Sequence, residues 1–147
     1  MKSIEQFKRA EYRLPISIMK KSIESSNEFG WRQQNFKEVI EAARQIPMAV
    51  LGGQVQYVFE DGTCELWWQS YNPQQQLQNE DWLTYCNRSA SQAVAIFDKI
   101  IKEDSIEKDA LSSFEFIKHK QEQGVDIEKH KIFLICFDDR ETDLYIK

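Results

Sequence analysis

Gln54 to Gln69 reads QVQYVFEDGTCELWWQ. Two runs rich in β-branched and aromatic residues flank Asp61-Gly62, the dipeptide that most strongly signals a two-residue hairpin turn. A turn at Asp61-Gly62 predicts Glu60 opposite Thr63, Phe59 opposite Cys64, Tyr57 opposite Leu66 and Val55 opposite Trp68. One face then carries Val55, Tyr57, Phe59, Cys64, Leu66 and Trp68, and the other carries Gln54, Gln56, Val58, Glu60, Thr63, Glu65, Trp67 and Gln69. Only the first face can meet a core, because a slip of one residue would bury the glutamates.

Working outward from the hairpin, the preceding sequence reads as helices. Ser3 and Gln6 offer a capping box for a short helix with Ile4, Phe7 and Ala10 inward. Pro15 suits the first turn of a second helix, with Ile16, Met19 and Ile23 on one side. Ser25, Ser26, Asn27 and Gly30 read as a loop, and Phe36, Val39, Ile40 and Ala43 form the stripe of a third helix stopped by Pro47. After the hairpin, Tyr71-Asn72-Pro73 and Gln74-Gln75-Gln76 make a polar loop. Asn79, Glu80 and Asp81 then supply an N-cap and an acidic first turn to the longest amphipathic pattern in the chain. Its stripe is Trp82, Tyr85, Cys86, Ser89, Ala93, Ile96, Phe97, Ile100 and Ile101. Asp104 with Glu107 predicts a further helix, ending near Gly124, with Ile106, Ala110, Leu111, Phe114 and Ile117 inward. Ile132 to Phe137, IFLICF, is apolar on both faces, as a covered central strand is. Asp138 to Thr142 turns the chain, and Asp143 to Lys147 returns as a last strand. Segregated helices and strands, with no βαβ alternation, predict an α+β fold. Its antiparallel sheet is built from two hairpins with several amphipathic helices packed on it, in a single domain over residues 1–147.

The 147 residues are 41% hydrophobic and 29% charged, which suits a folded globular chain rather than a disordered one. No apolar run approaches the roughly 20 residues that span a bilayer. The start, MKSIEQFKRAEYR, lacks the apolar segment of a secretory signal, so a cytoplasmic location with reduced thiols is expected. Cys64, Cys86 and Cys136 lie far apart within apolar patterns and read as small core residues, since metal sites need paired ligands at short spacing. Net charge is −5 and unevenly placed: residues 1–44 carry +3, residues 45–87 carry −5, and the remainder carries −3. The central segment has no lysine or arginine between Arg44 and Arg88. Such a segment opposes phosphate backbones and attracts a basic partner.

Catalytic signatures are scarce. His119 and His130 each sit beside lysine and read as solvent-facing, with no partner to tune a general base. No glycine-rich phosphate loop and no nucleophile set appears. Asn87-Arg88-Ser89 matches a glycosylation sequon in mid-helix, where chance explains it. Asp138, Asp139, Glu141 and Asp143 could supply oxygen ligands to a divalent cation near Lys147, although Arg140 interrupts them and the spacing fits no calcium loop. A solvated turn is the simpler reading. No catalytic, cofactor-binding or metal-binding residue is assigned.

Trp67 stands out, because the register puts it on the polar face among Gln56, Glu65 and Gln69. Either a helix covers this face as well, or it presents an aromatic anchor ringed by carboxylates and amides, the composition of binding hot spots. The run LGGQVQYVFEDGTCELWW from Leu51, followed by EDWLTYCNRS and the long helix, resembles bacterial immunity proteins that guard cells against polymorphic or contact-dependent toxins. The resemblance spans roughly Leu51 to Ile101 and is general in kind: small, acidic, cytoplasmic and α+β, with no family binding site to carry over. It implies a protein that binds a cognate toxin domain, often a basic nuclease, and blocks its active site. The candidate partner-binding residues are Glu60, Asp61, Glu65, Trp67 and Tyr71 around the hairpin. Asp138, Asp139, Glu141 and Asp143 at the acidic turn are the second place to look. The other two readings are a metal-dependent enzyme using that turn and a homodimeric structural subunit. A partner of nucleic acid or membrane is not expected.

Overall fold

A computed structural model describes residues 9–140. A 3₁₀ turn, Ala10–Arg13, precedes the one-turn helix α1 (Ile16–Met19) and the strands β1 (Ile23–Ser25) and β2 (Glu28–Trp31). Helix α2 (Phe36–Gln45) leads into β3 (Ala49–Gly52), β4 (Gln54–Phe59) and β5 (Gly62–Ser70). Helices α3 (Trp82–Glu103), α4 (Ile106–Ser113) and α5 (Glu115–Glu122) follow, and β6 (Lys131–Leu134) and β7 (Cys136–Asp138) come last. The fold is α+β. An antiparallel sheet in the order β1-β2-β6-β4-β5 carries the helices, and β3 pairs with β7 in a small second sheet.

The hairpin forms, one residue off the predicted turn. Glu60 and Asp61 are the turn residues and Phe59 faces Gly62, so Tyr57 meets Cys64 and Val55 meets Leu66. Moving a two-residue turn by one position shifts the register by two, which keeps every side chain on its predicted face. Hence Val55, Tyr57, Phe59, Cys64 and Leu66 are all buried. Neither Asp61 nor Gly62 takes the positive φ that the predicted turn requires. Each is used otherwise: Asp61 is ion-paired at 2.8 Å to Lys120 of α5, and a Cβ on Gly62 would lie 3.0 Å from the Phe116 ring.

Beyond Leu66 the pairing breaks. Val55 faces Leu66 but Gln54 faces Ser70, so Trp67, Trp68 and Gln69 bulge out of β5 against a single step of β4. The bulge reverses which alternate residues point inward. Gln69 and Tyr71 turn into the protein, and Trp68, predicted to face Val55 in the core, is 37% exposed.

Three elements differ from their sequence reading for local reasons. Ser25 to Gly30 is a hairpin, not a loop: Ser26 and Asn27 both adopt positive φ and join β1 to β2. Helix α1 is a single turn that buries Ile18 and leaves Ile16 75% exposed, and Ile23 already belongs to β1. The helix predicted from Asp104 to Gly124 is two, broken at Phe114, which has extended backbone angles. Asp104 closes α3 in the left-handed region rather than opening α4. By contrast α2 and α3 bury the predicted residues, including Phe36, Val39, Ile40 and Ala43 on one and Tyr85, Cys86, Ala93, Phe97 and Ile100 on the other.

The core sits between those helices and the sheet. Phe36 stacks on Phe97 at 3.9 Å between ring centroids, and Phe133 of β6 meets both edge-on. Lys131 to Ile135 are all buried, and β6 lies between β2 and β4 as a central strand, but the predicted strand Ile132 to Phe137 breaks at Ile135, after which β7 pairs with β3 in the second sheet. Gly53 lets Leu134 cross: a Cβ there would sit 1.7 Å from the Leu134 carbonyl oxygen. The return strand predicted for Asp143 to Lys147, and residues 3–8 of the first predicted helix, lie outside the described residues.

Candidate functional site

The β5 bulge builds an aromatic corner on the surface. Trp67 is 70% exposed, and its ring meets Trp68 edge-on with centroids 5.6 Å apart. Trp68 is held from two sides, by Asp109 of α4 and by Phe114 at the break between α4 and α5. Its Nε1 donates to Asp109 Oδ2 at 2.9 Å, and its ring stacks on Phe114 at 6.3 Å. Gln69 Nε2 donates to the same Asp109 oxygen at 2.7 Å and to Ser105 Oγ at 3.2 Å. An anchored tryptophan therefore backs an open one, which limits the rotamer entropy a partner must remove on binding.

Glu65, two residues before Trp67, is exposed and also positioned. Ser25 Oγ donates to Gln56 Oε1 at 2.9 Å, and Gln56 Nε2 donates to Glu65 Oε1 at 3.3 Å. Gln56 is buried by this arrangement, so the outer face of the hairpin is covered near β1 and open along β5. Glu60 lies exposed at the hairpin tip.

The acidity of residues 45–87 is partly spent inside the fold. Asp61 pairs with Lys120, whose hydrogen bond holds its carboxyl below the usual aspartate range. Glu80 receives Arg88 Nε at 2.6 Å and Nη2 at 2.7 Å, and the Arg88 hydrogen bond lowers its carboxyl in the same way. Arg88 also donates to the carbonyls of Gln74 and Gln75, so this pair pins the loop ahead of α3. Asp81 accepts the Thr84 N–H at 2.8 Å as the N-cap of α3. Among the described residues, Glu60 and Glu65 are the acids of this segment with neither a basic partner nor a capping role. Glu60 lies at the hairpin tip and Glu65 within the open part of β5.

Two of the predicted binding residues are structural instead. Tyr71 is fully buried, and its hydroxyl shares its one proton between the carbonyls of Leu134 and Gln54, so no partner reaches it. The bulge, which alternation along the strand does not announce, turned it inward. Asp139 is 5% exposed with Arg13 Nη1 at 3.6 Å, and so belongs to the packing of the 3₁₀ turn against β7. Nearby, buried Glu11 accepts the Phe137 N–H at 3.2 Å and pairs with Arg9 at 2.8 Å. Asp138 is half-buried and accepts the Arg140 N–H at 2.7 Å. Glu141 and Asp143 lie outside the described residues. The structure thus keeps Glu60, Asp61, Glu65 and Trp67 together along one hairpin, and sets Asp138 and Asp139 apart, beside the 3₁₀ turn.

Other chemistry-bearing groups are engaged in packing. His130, read as solvent-facing, is half-buried against Phe59 at 4.5 Å with Nδ1 3.0 Å from the Val58 carbonyl oxygen, while His119 is exposed. Cys64 and Cys86 are buried, and burial pushes the Cys86 thiol up to about 11. Burial and the adjacent Glu28 carboxylate push Cys136 to about 12. No group of three or more His, Cys, Asp or Glu side chains gathers for a metal ion among the described residues. Surface grooves among the described residues include two shallow ones. One, of about 370 Å³, lies beside Arg32, Gln33 and Lys131; the other, of about 550 Å³, lies between α4 and α5; neither brings two carboxylates together.

Sequence reasoning missed Trp68, Gln69, Asp109 and Phe114 as parts of this surface. One signal was present: Tyr71 has the opposite parity to Leu66, so an odd number of residues had to be inserted for both to face the core. Comparison with protein-family models, with curated proteins and with solved structures finds no match to this chain.

Proposed function

We propose that this chain is a binding protein that docks a basic protein partner on the β5 edge. Trp67 is the anchor, Trp68 its support, and Glu60 and Glu65 the charged rim. The observation that carries the reading is Trp67, largely exposed on a rigid corner two residues after Glu65, a carboxylate that no base of the described residues neutralises. Such a surface serves an immunity-type inhibitor of a basic toxin domain, the activity that the resemblance implies. Its carboxylates take the place of the phosphates that a nuclease-like partner would bind, and the indole supplies desolvated area. The burial of Asp139 beside Arg13 weighs against a metal-dependent enzyme at the acidic turn.

The test is to co-express the chain with the product of the adjacent gene and measure the complex by calorimetry at low salt. A one-to-one complex is expected, weakened about 30-fold or more by Trp67→Ala, the effect of truncating a hot spot of about 2 kcal/mol. Failure to retain that protein, or a complex indifferent to Trp67→Ala and Glu65→Lys alike, refutes the reading.

A further inference from the structure

Among the described residues, nothing covers the outer edge of β5, in its main chain or its side chains. A turn of only two residues makes Phe59 and Gly62 the hydrogen-bonded closing pair, and bonded pairs then alternate along the ladder. Tyr57 with Cys64 and Val55 with Leu66 are therefore bonded pairs, whereas Thr63 and Glu65 sit in non-bonded positions. Their N–H and C=O groups point away from β4. β5 has one strand neighbour among the described residues, and no described loop or side-chain hydrogen bond involves the main chain of Thr63 or Glu65. Thr63, Glu65 and Trp67 are all exposed. Natural sheets seldom leave such an edge beside a large exposed aromatic, because it is a template for another strand.

We infer that the β5 edge takes up an extended segment of the partner as an added antiparallel strand, with its arginine or lysine side chains against Glu65 and over the Trp67 ring. The inference rests on the docking reading above and specifies its geometry. Charge selects the occupant. Glu65 is the last exposed residue before the bulge and Trp67 the first residue within it, and both are exposed. Together they suit a cationic side chain that can pair with a carboxylate and lie on an aromatic face. A second copy of this chain is a poor occupant: two-fold pairing centred on Glu65 would set Glu65 against Glu65, and like charges directly opposite are unfavourable.

The experiment follows the backbone amides of the full chain by heteronuclear NMR while adding an end-blocked peptide, Arg-Thr-Arg-Thr-Arg-Thr, to millimolar concentration. Saturable shifts of the Thr63 and Glu65 amides and of the Trp67 indole N–H are expected. The same peptide N-methylated at alternate residues should bind at least tenfold more weakly, and a Glu-Thr peptide should not bind. Thr63→Pro, which removes an outward N–H without touching the bonds to β4, should weaken the Arg-Thr peptide by a similar factor. Indole shifts without amide shifts, or equal binding by the N-methylated peptide, overturn strand addition and leave side-chain docking standing. Absence of any shift overturns it too. So does concentration-dependent protection of these amides without peptide, which would assign the edge to a second copy. Failure of the docking reading itself is separately visible, as a natural complex that ignores Trp67→Ala.

Discussion

Two buried tyrosines show how much depends on where a hydroxyl points. The Tyr71 hydroxyl lies within hydrogen-bond reach of two carbonyls, whereas the Tyr57 hydroxyl is buried with no hydrogen-bond partner among the described residues. Burial, followed by the charges of Glu128 and Glu107, raises the Tyr57 hydroxyl above the usual tyrosine range. Tyr71→Phe should cost about 1–3 kcal/mol, because the buried Leu134 carbonyl loses its hydroxyl donor. Tyr57→Phe should be neutral or stabilising by up to about 1 kcal/mol, since it removes an unpaired polar atom and keeps the ring. Denaturant unfolding of both variants checks the pair, and equal losses would refute the assignment. The adjacent tryptophans diverge as well. Trp67→Ala should change stability by less than about 0.5 kcal/mol, as exposed sites do. Trp68→Ala should cost about 1–2 kcal/mol, from the lost Asp109 bond and the lost stack on Phe114. That is less than the roughly 3–5 kcal/mol of emptying a fully buried aromatic site. Thermal or denaturant melts of the two variants side by side decide it. Residue positions up to Leu66 were legible because alternation has one parity there. Trp68 and Tyr71 were misread because the bulge changes that parity, and Asp109, which holds Trp68 there, lies 41 positions away in the sequence.

At the scale of elements, legibility followed length. Helices α2 and α3 repeat their apolar positions over ten and 22 residues and appear where the periodicity put them. β1 and β2, with three and four residues, are too short to show alternation, so Ser26-Asn27 read as a loop instead of a tight turn. The hairpin turn was misplaced for a different reason. Gly62 serves the approach of Phe116 and Asp61 serves Lys120, so residues that resemble a turn were recruited by α5. The loop before α3 has a comparable long-range tie in Glu80–Arg88, and it predicts a pH dependence. The folded Glu80 carboxyl lies below the usual glutamate range because Arg88 donates to it. A lowered folded pKa means the stabilisation is complete above the unfolded value and disappears as pH falls through the folded one. Melting temperatures of the wild type and Glu80→Gln should therefore differ by a constant amount above about pH 5.5 and converge below it. A gap that widens on acidification would refute this account.

Across the whole molecule, the charge of −5 in residues 45–87 suggested one acidic surface, and the fold divides it. Arg88 and Lys120, both outside that segment, neutralise Glu80 and Asp61, and Asp81 caps α3. A run of residues in sequence is not a patch in space, so the position of the field was not legible until helices α3 and α5 were placed. What survives is smaller: Glu65 two residues before Trp67 on β5, and Glu60 at the hairpin tip. This division predicts distinct kinetic signatures for the two kinds of residue. Charges at a rim act over a Debye length of about 8–10 Å and steer encounter, whereas an anchor acts only after contact. Glu65→Lys should therefore lower the association rate with a basic partner, by an amount that shrinks as sodium chloride is raised from 50 to 500 mM. Trp67→Ala should leave association nearly unchanged and speed dissociation at every salt concentration. Surface plasmon resonance on the two variants separates the rates. If Glu65→Lys instead acted on dissociation, and did so independently of salt, Glu65 would be a desolvated contact at the centre of the interface. The added strand would then have to cover it fully, and Thr63→Pro should weaken the complex to a similar degree.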